Sequence, residues 1–208
     1  MGEITLASDG DHLTGLWFDG QKYFAATLSA EHQERELPIF ELTKEWLDSY
    51  FMGKIPSFTP PIHLEDTPFR LAVWDLLSKI PYGEVVTYKE LAGEIARQKG
   101  IPSMSTQAIG GAVGHNPISI IIPCHRVVGS DGSLTGYAGG IDKKGACLQS
   151  NGPQKYRKET LPCKSLWTNI ECNYPINVIS FTSWSSISAY RKWPAKVSSV
   201  SWKKSSSS

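Results

Sequence analysis

The chain has 208 residues, 40% of them hydrophobic and 20% charged, with a formal net charge of +1. That is enough for one large domain or two small ones around a packed core, and it argues against wholesale disorder. No apolar run approaches ~18 residues and no secretory signal opens the chain, while Cys124, Cys147, Cys163 and Cys172 contain no C-x-x-C pair, so the expectation is a soluble cytoplasmic protein with reduced thiols and no membrane partner, zinc finger or disulfide framework.

Taken in chain order, residues 13–29 read as a hairpin, with apolar segments at 13–18 and 22–28 flanking the turn pair Asp19-Gly20. Ile39, Leu42, Trp46 and Tyr50 recur at helical spacing and predict a helix over 38–52, with Gly53 as its stop. Pro56, Pro60, Pro61 and Pro68 resist regular structure and mark a linker at 54–68. Phe69, Val73, Trp74, Leu76, Leu77 and Ile80 then form a wide apolar stripe, ended by Pro81-Tyr82-Gly83. Thr87 and Glu90 have the spacing of a capping box opening a short helix with Leu91, Ala92 and Ile95 inward. Residues 103–113 read as a third helix of small residues, including Ala108, Gly110 and Gly111, which completes a helix-turn-helix pattern. Two adjacent glycines cost roughly 1 kcal/mol each in a helix. They signal either close helix packing or a surface that another backbone approaches. Residues 118–122 read as a buried strand ended by Pro123-Cys124-His125-Arg126, and 127–140 as turns around Tyr137.

Cys124 and His125 are the candidate chemistry. An unperturbed thiol is only a few per cent ionised at neutral pH, so a nucleophilic cysteine needs a base, a cation or a helix N-terminus beside it. His125 and Arg126 supply such neighbours, although adjacent strand residues face opposite ways and the pair can meet only at a strand end or turn, which Pro123 favours. On spacing alone a buried apolar cysteine is the commoner outcome. His12, His32 and His63 lack partners at metal spacing, so no metal site is expected.

The run Ile122-Pro123-Cys124-His125-Arg126-Val127-Val128-Gly129 resembles the active-site signature of the O6-alkylguanine-DNA alkyltransferases (methylated-DNA–protein-cysteine methyltransferases). The likeness extends over about residues 67–144, through Thr67-Pro68-Phe69, Val73-Trp74, Ile80-Pro81-Tyr82-Gly83, Thr87-Tyr88, the stretch 108–117 ending in Asn116-Pro117, and the stretch 136–144. The resemblance implies an RNase H-like α/β domain over 1–60, followed at 61–144 by a helical, winged-helix-like helix-turn-helix domain that binds double-stranded DNA as a monomer and without a cofactor. It implies that Cys124 takes the alkyl group of O6-alkylguanine, and of O4-alkylthymine, once and irreversibly. His125 would be the base, acting through a water, and Asn116 would hold the site loop. Tyr88 would help rotate the phosphate of a flipped nucleotide. Gln107, Ala108, Gly110 and Gly111 would face DNA, Tyr137 and Ala138 would line the guanine pocket, and Arg126 and Pro123 would be structural.

The sequence departs from the family in three places. Gln107 stands where the family commonly has an arginine that fills the gap of the flipped base, which implies weaker intercalation with the chemistry kept. Asn151 stands where the family's Leu-Leu-x-x-Glu helix places the glutamate that orients the histidine, and residues 145–152 show no amphipathic pattern. The chain opens where the family usually has another strand before it, so the expectation is either a misassigned start or a sheet lacking one edge strand. Residues 1–68 carry 4 basic and 12 acidic side chains, 69–126 carry 6 and 4, and 145–208 carry 9 and 2 together with 14 serines. A modestly basic middle segment does not by itself indicate DNA. The segment 145–208 reads as a non-native or disordered tail, and a two-base change of frame at Gly145 permits Leu, Leu, then Ile or Val, then Glu at the family's positions. Two rivals to alkyl transfer follow: a damage-binding protein whose transfer is impaired by the missing glutamate, and a Cys-His hydrolase.

Overall fold

The computed structural model of the chain describes residues 2–153, Tyr156 and the backbone of 197–202. Strands β1 (Ile4–Ser8) and β2 (Leu13–Phe18) pair antiparallel through a tight link in which the Asp9 carboxylate accepts the N–H groups of Asp11 and His12 at 3.0 and 2.8 Å. The hairpin therefore lies one strand earlier than the sequence indicates. Residues 22–28 are successive turns, with Tyr23 and Ala25 at φ 62° and 52°. The contacts of β2 exclude a strand there. Both edges of β2 are taken, one by β1 and the other by backbone bonds that tie Leu13 to Pro61 and His63 and Leu16 to Pro117 and Ser119, and the Gln21 side chain accepts the Phe18 N–H at 2.9 Å, which closes the strand end. A short exposed strand β3 (His32–Glu34) follows.

Helix α1 (Pro38–Phe51) forms where the apolar spacing predicts it, with Pro38 in its first turn and Ile39, Phe40, Trp46, Leu47 and Tyr50 buried. It ends at Met52, and Gly53 (φ 73°) takes the left-handed turn that follows. The proline-rich segment carries neither helix nor strand, but it is not loose. Leu13 N–H donates to the Pro61 carbonyl at 2.8 Å and His63 N–H to the Leu13 carbonyl at 3.0 Å.

Helix α2 (Pro68–Ser78) begins at its Thr67 cap. The two-residue strand β4 (Val86–Thr87) leads into α3 (Tyr88–Lys99), whose capping box is formed as read: Glu90 N–H to Thr87 Oγ1 at 3.1 Å, and Thr87 N–H to Glu90 Oε2 at 2.7 Å. Gly100 ends α3 in the left-handed conformation at φ 63°. Helix α4 (Thr106–Gly114) packs on α2 and α3, and the Trp74 indole fixes it by donating to the Ala112 carbonyl at 2.9 Å. After a 3-10 turn at Cys124–Arg126, strand β5 (Val127–Val128) pairs parallel with β4.

Two further expectations change. Residues 118–122 are buried but form a turn, with Ile120 at φ 70° and only a single bridge from Ile118 to Leu16. Residues 145–151 are not patternless, because helix α5 (Ile141–Asn151) runs through them with Lys144, Gly145, Cys147, Leu148 and Asn151 buried. Those positions are spaced as one helical face. Cys147, given no role in the sequence, belongs to the core. Strand β6 (Val197–Trp202) pairs parallel with β1 and antiparallel with β3, giving the sheet order β2-β1-β6-β3. A strand thus lies beside β1 opposite β2, supplied by the C-terminal segment. The rest of the segment expected to be non-native, including Cys163 and Cys172, lies outside the described residues. The buried side chains of the sheet and of the helices form one continuous core, which also contains Cys124 and Cys147. Among the described residues no helix is long and apolar enough to cross a membrane.

Candidate active site around Cys124

The turn that carries Cys124 is built by Asn116. Its carboxamide oxygen accepts the Ile118 N–H at 3.0 Å, and its Nδ2 donates to the carbonyls of Ile118 and Ile122 at 3.2 and 2.9 Å. The same Nδ2 lies 3.1 Å from Cys124 Sγ. One side chain therefore closes the loop 116–122 and puts a donor on the sulfur. Pro123 precedes the 3-10 turn, so Cys124 and His125 sit on a tight curve, not on opposite faces of a strand.

Cys124 is 4% exposed and His125 is fully buried. Burial pushes the thiol up, while the Asn116 donor and the nearby Lys144 ammonium pull it down. Burial holds the imidazole well below its ordinary value, and the positive charges of Arg126 and Lys144 add to this. The resting pair is therefore a thiol beside a neutral imidazole. His125 Nε2 lies 2.8 Å from the Tyr50 hydroxyl, and Nδ1 is buried with no protein partner among the described residues.

Arg126 donates to the Ile80 carbonyl at 2.9 Å and lies over the Tyr82 ring, so it ties the site turn to the end of α2. Tyr88 is turned toward the loop after β5. Its hydroxyl donates to the carbonyls of Thr135 and Gly136 at 3.1 and 2.9 Å, and burial followed by the nearby Cys124 pushes its phenol up to about 12. Tyr137 meets the Phe18 ring edge-on at 6.4 Å, and burial raises its phenol too, with Cys124 adding to the shift. The Ala138 carbonyl accepts the Lys22 N–H at 2.9 Å, fastening this loop to the first sheet. Gln107, Ala108 and Gly111 are exposed on α4 and Gly110 is half-buried.

Two residues that sequence reasoning passed over stand in the site. Lys144 is buried, donates to the Thr135 carbonyl at 2.6 Å, and is lowered by burial to about 8. Nothing in the Lys143-Lys144 pair marks which lysine turns inward. Tyr50 was visible only as one member of an apolar helical stripe. Asn151 does not take the glutamate's expected place on His125: its Nδ2 donates to the Tyr50 carbonyl at 3.0 Å, and its oxygen accepts the Tyr82 hydroxyl. No group of three or more His, Cys, Asp or Glu side chains suited to a metal occurs among the described residues.

This geometry suits a one-step displacement at a small electrophile: a shielded sulfur, a neutral base and a rigid turn. Comparisons with known proteins agree. A family model described as 6-O-methylguanine DNA methyltransferase, ribonuclease-like domain, matches residues 1–64, and one described as the DNA binding domain of the same family matches residues 68–153. The methylated-DNA–protein-cysteine methyltransferase of Haemophilus influenzae is 41% identical over 150 residues, covering 72% of this chain and 80% of that protein. The protein of that description from Mycobacterium tuberculosis is 43% identical over 149 residues, covering 72% and 86%. The crystal structure of Mycobacterium tuberculosis OGT in complex with DNA superposes with a TM-score of 0.60 at 40% identity, over 73% of this chain and 89% of that one. With a ribonuclease-like α/β part followed by a helical DNA-binding part, both matched in order, the chain belongs to the 6-O-methylguanine DNA methyltransferase family.

Proposed function

We propose that this protein repairs DNA by moving the alkyl group of O6-alkylguanine irreversibly onto Cys124. The observation that carries the reading is the Asn116 donor 3.1 Å from a buried sulfur with a neutral, buried imidazole next in the chain. In the reaction the S–C bond forms as the O6–C bond breaks. The thiol proton passes toward His125, through a water, and the released guanine regains a proton, so the step balances without a cofactor. The product is a thioether, which no group in the site cleaves, and each monomer acts once.

The duplex would be met by α4. A Cβ at Gly111 would meet nothing within 4 Å, and one at Gly110 only the Tyr88 ring at 3.9 Å. Neither glycine is needed for internal packing, which leaves close approach of an outside backbone as the reason for the pair. Gln107 and Ala108 extend that face. The damaged base would be flipped out, at a cost of a few kcal/mol, toward Tyr137 and the Ala138 backbone, with Tyr88 beside the rotated phosphate.

The test is mass spectrometry of the chain after incubation with a duplex containing O6-methylguanine. A lasting methyl adduct confined to the Cys124 peptide supports transfer. A free thiol with continuing turnover points to the hydrolase, and binding without an adduct to the damage-binding protein.

A further inference from the structure

We infer that Tyr50, carried by α1 from the ribonuclease-like part of the chain, is the positioning residue that fixes the tautomer of His125 and so makes its imidazole a base for Cys124. The inference rests on the alkyl-transfer reading above and adds to it the group that orients the base.

A neutral imidazole carries one N–H and one lone pair, and its partners decide which nitrogen has which. Among the described residues only Nε2 of His125 has a protein partner, the Tyr50 hydroxyl at 2.8 Å, with the two rings edge to face at 82°. Were the proton on Nδ1, that N–H would lack a protein acceptor among the described residues, and the one ring nitrogen not held by Tyr50 would have no lone pair with which to take the thiol proton. With the proton on Nε2, that N–H donates to the Tyr50 oxygen. Nδ1 then keeps the lone pair that a base requires.

Tyr50 suits this task because it is immobile and neutral. It is fully buried, and Trp46 stacks on it at 5.3 Å and 13°. Its backbone carbonyl is gripped by Asn151, which binds α1 to α5. Burial, with Cys147 adding, holds the phenol far above its ordinary value, against the opposing pull of Asn151 and Arg126, and Tyr82 adds slightly to the rise. The charges facing His125 are Arg126 and Lys144, both positive, so a neutral oxygen is the acceptor left to steady the imidazole as it gains a proton. Asn151 thus acts on the histidine through Tyr50, and the glutamate that the resemblance implies at 151 has its orienting task done from the other part of the chain.

The experiment uses the full chain as wild type and as Tyr50→Phe, which removes one oxygen and leaves the packed ring. Ring-nitrogen NMR shifts of His125 read the tautomer directly. Single-turnover methyl transfer from an O6-methylguanine duplex, measured with the duplex Kd, reads the chemistry. The wild type is expected to show Nε2–H. Tyr50→Phe is expected to move the proton wholly or partly to Nδ1 and slow transfer at least ~10-fold, with Kd unchanged. A wild-type proton on Nδ1 overturns the inference even if the variant does not fold. So does a folded variant with the wild-type tautomer and rate. Absence of methyl uptake by a wild type that shows Nε2–H sinks the alkyl-transfer reading and leaves the tautomer assignment standing.

Discussion

Asn116→Ala is the most informative single perturbation, because one carboxamide both builds the turn and touches the sulfur. Truncation leaves the buried Ile118 N–H without its partner. The Ile118 and Ile122 carbonyls lose a donor each but keep a second, the N–H groups of Ile122 at 3.2 Å and Cys124 at 2.7 Å. One orphaned donor and two weakened acceptors amount to about 2–4 kcal/mol of lost stability, against roughly 5–15 kcal/mol for a typical domain. The variant should fold, with a lower urea midpoint. The second effect is chemical. The Asn116 donor lowers the thiol and burial raises it, so removing the donor lets burial act unopposed at that contact. A hydrogen bond to a charged group is worth about 1.5–3 kcal/mol, a factor of about 10 to 100 in the population of the charged form. Below the thiol's pKa the thiolate fraction falls by the same factor, so transfer near neutral pH should slow ~10- to 100-fold and recover as pH rises. The assay is single-turnover methyl transfer across a pH series, paired with urea unfolding. An unchanged urea midpoint, together with a rate profile that tracks the wild type at every pH, would refute the reasoning.

Three further outcomes follow. Cys124→Ala should bind an O6-methylguanine duplex as tightly as the wild type and take up no methyl; an adduct elsewhere on the chain would place the nucleophile wrongly. Gly111→Ala should raise stability by about 0.5–1 kcal/mol, because the site is open and the backbone helical, whereas Gly111→Leu should weaken duplex binding several-fold without loss of stability. Equal duplex affinity in Gly111→Leu removes α4 from the interface. Lys144 is lowered from 10.5 to about 8 in the folded chain. The unfolded chain therefore binds more protons between those values, so wild-type stability should gain up to about 3 kcal/mol as pH rises through that window. Lys144→Met should lack the gain, and parallel urea midpoints for the two proteins from neutral to alkaline pH would contradict the burial of the ammonium.

Much of the helical part was legible because its signals are local. The Thr87 and Glu90 pair caps its own helix, and the apolar stripes of α1 and α2 face a common core. The misreadings share a physical cause, which is that the deciding partner lies far along the chain or is polar. Residues 22–28 have strand-like composition, but both edges of β2 are taken, one by β1 and the other by residues 61–63 and 117–119. Residues 118–122 are apolar enough for a strand, yet Asn116 curls them into a turn by bonding across it. The inward face of α5 was invisible because it includes Lys144 and Asn151, whose burial is supported by Thr135, Tyr50 and Tyr82. The partner of His125 was hidden most thoroughly. Tyr50 is 75 residues away in sequence and reads as an ordinary core aromatic. By contrast, Cys124 and His125 were candidates from their residue types, the resemblance supplied their roles and that of Asn116, and the fold brings Cys124 and Asn116 into contact.

The shielding of Cys124 has a consequence outside repair itself. A protein that can react once is vulnerable to every stray electrophile and peroxide it meets in solution. A sulfur kept protonated by its surroundings reacts slowly with both. The resting molecule should therefore resist iodoacetamide and hydrogen peroxide far better than its denatured chain. Its chemical shelf life is then set by how seldom the fold opens.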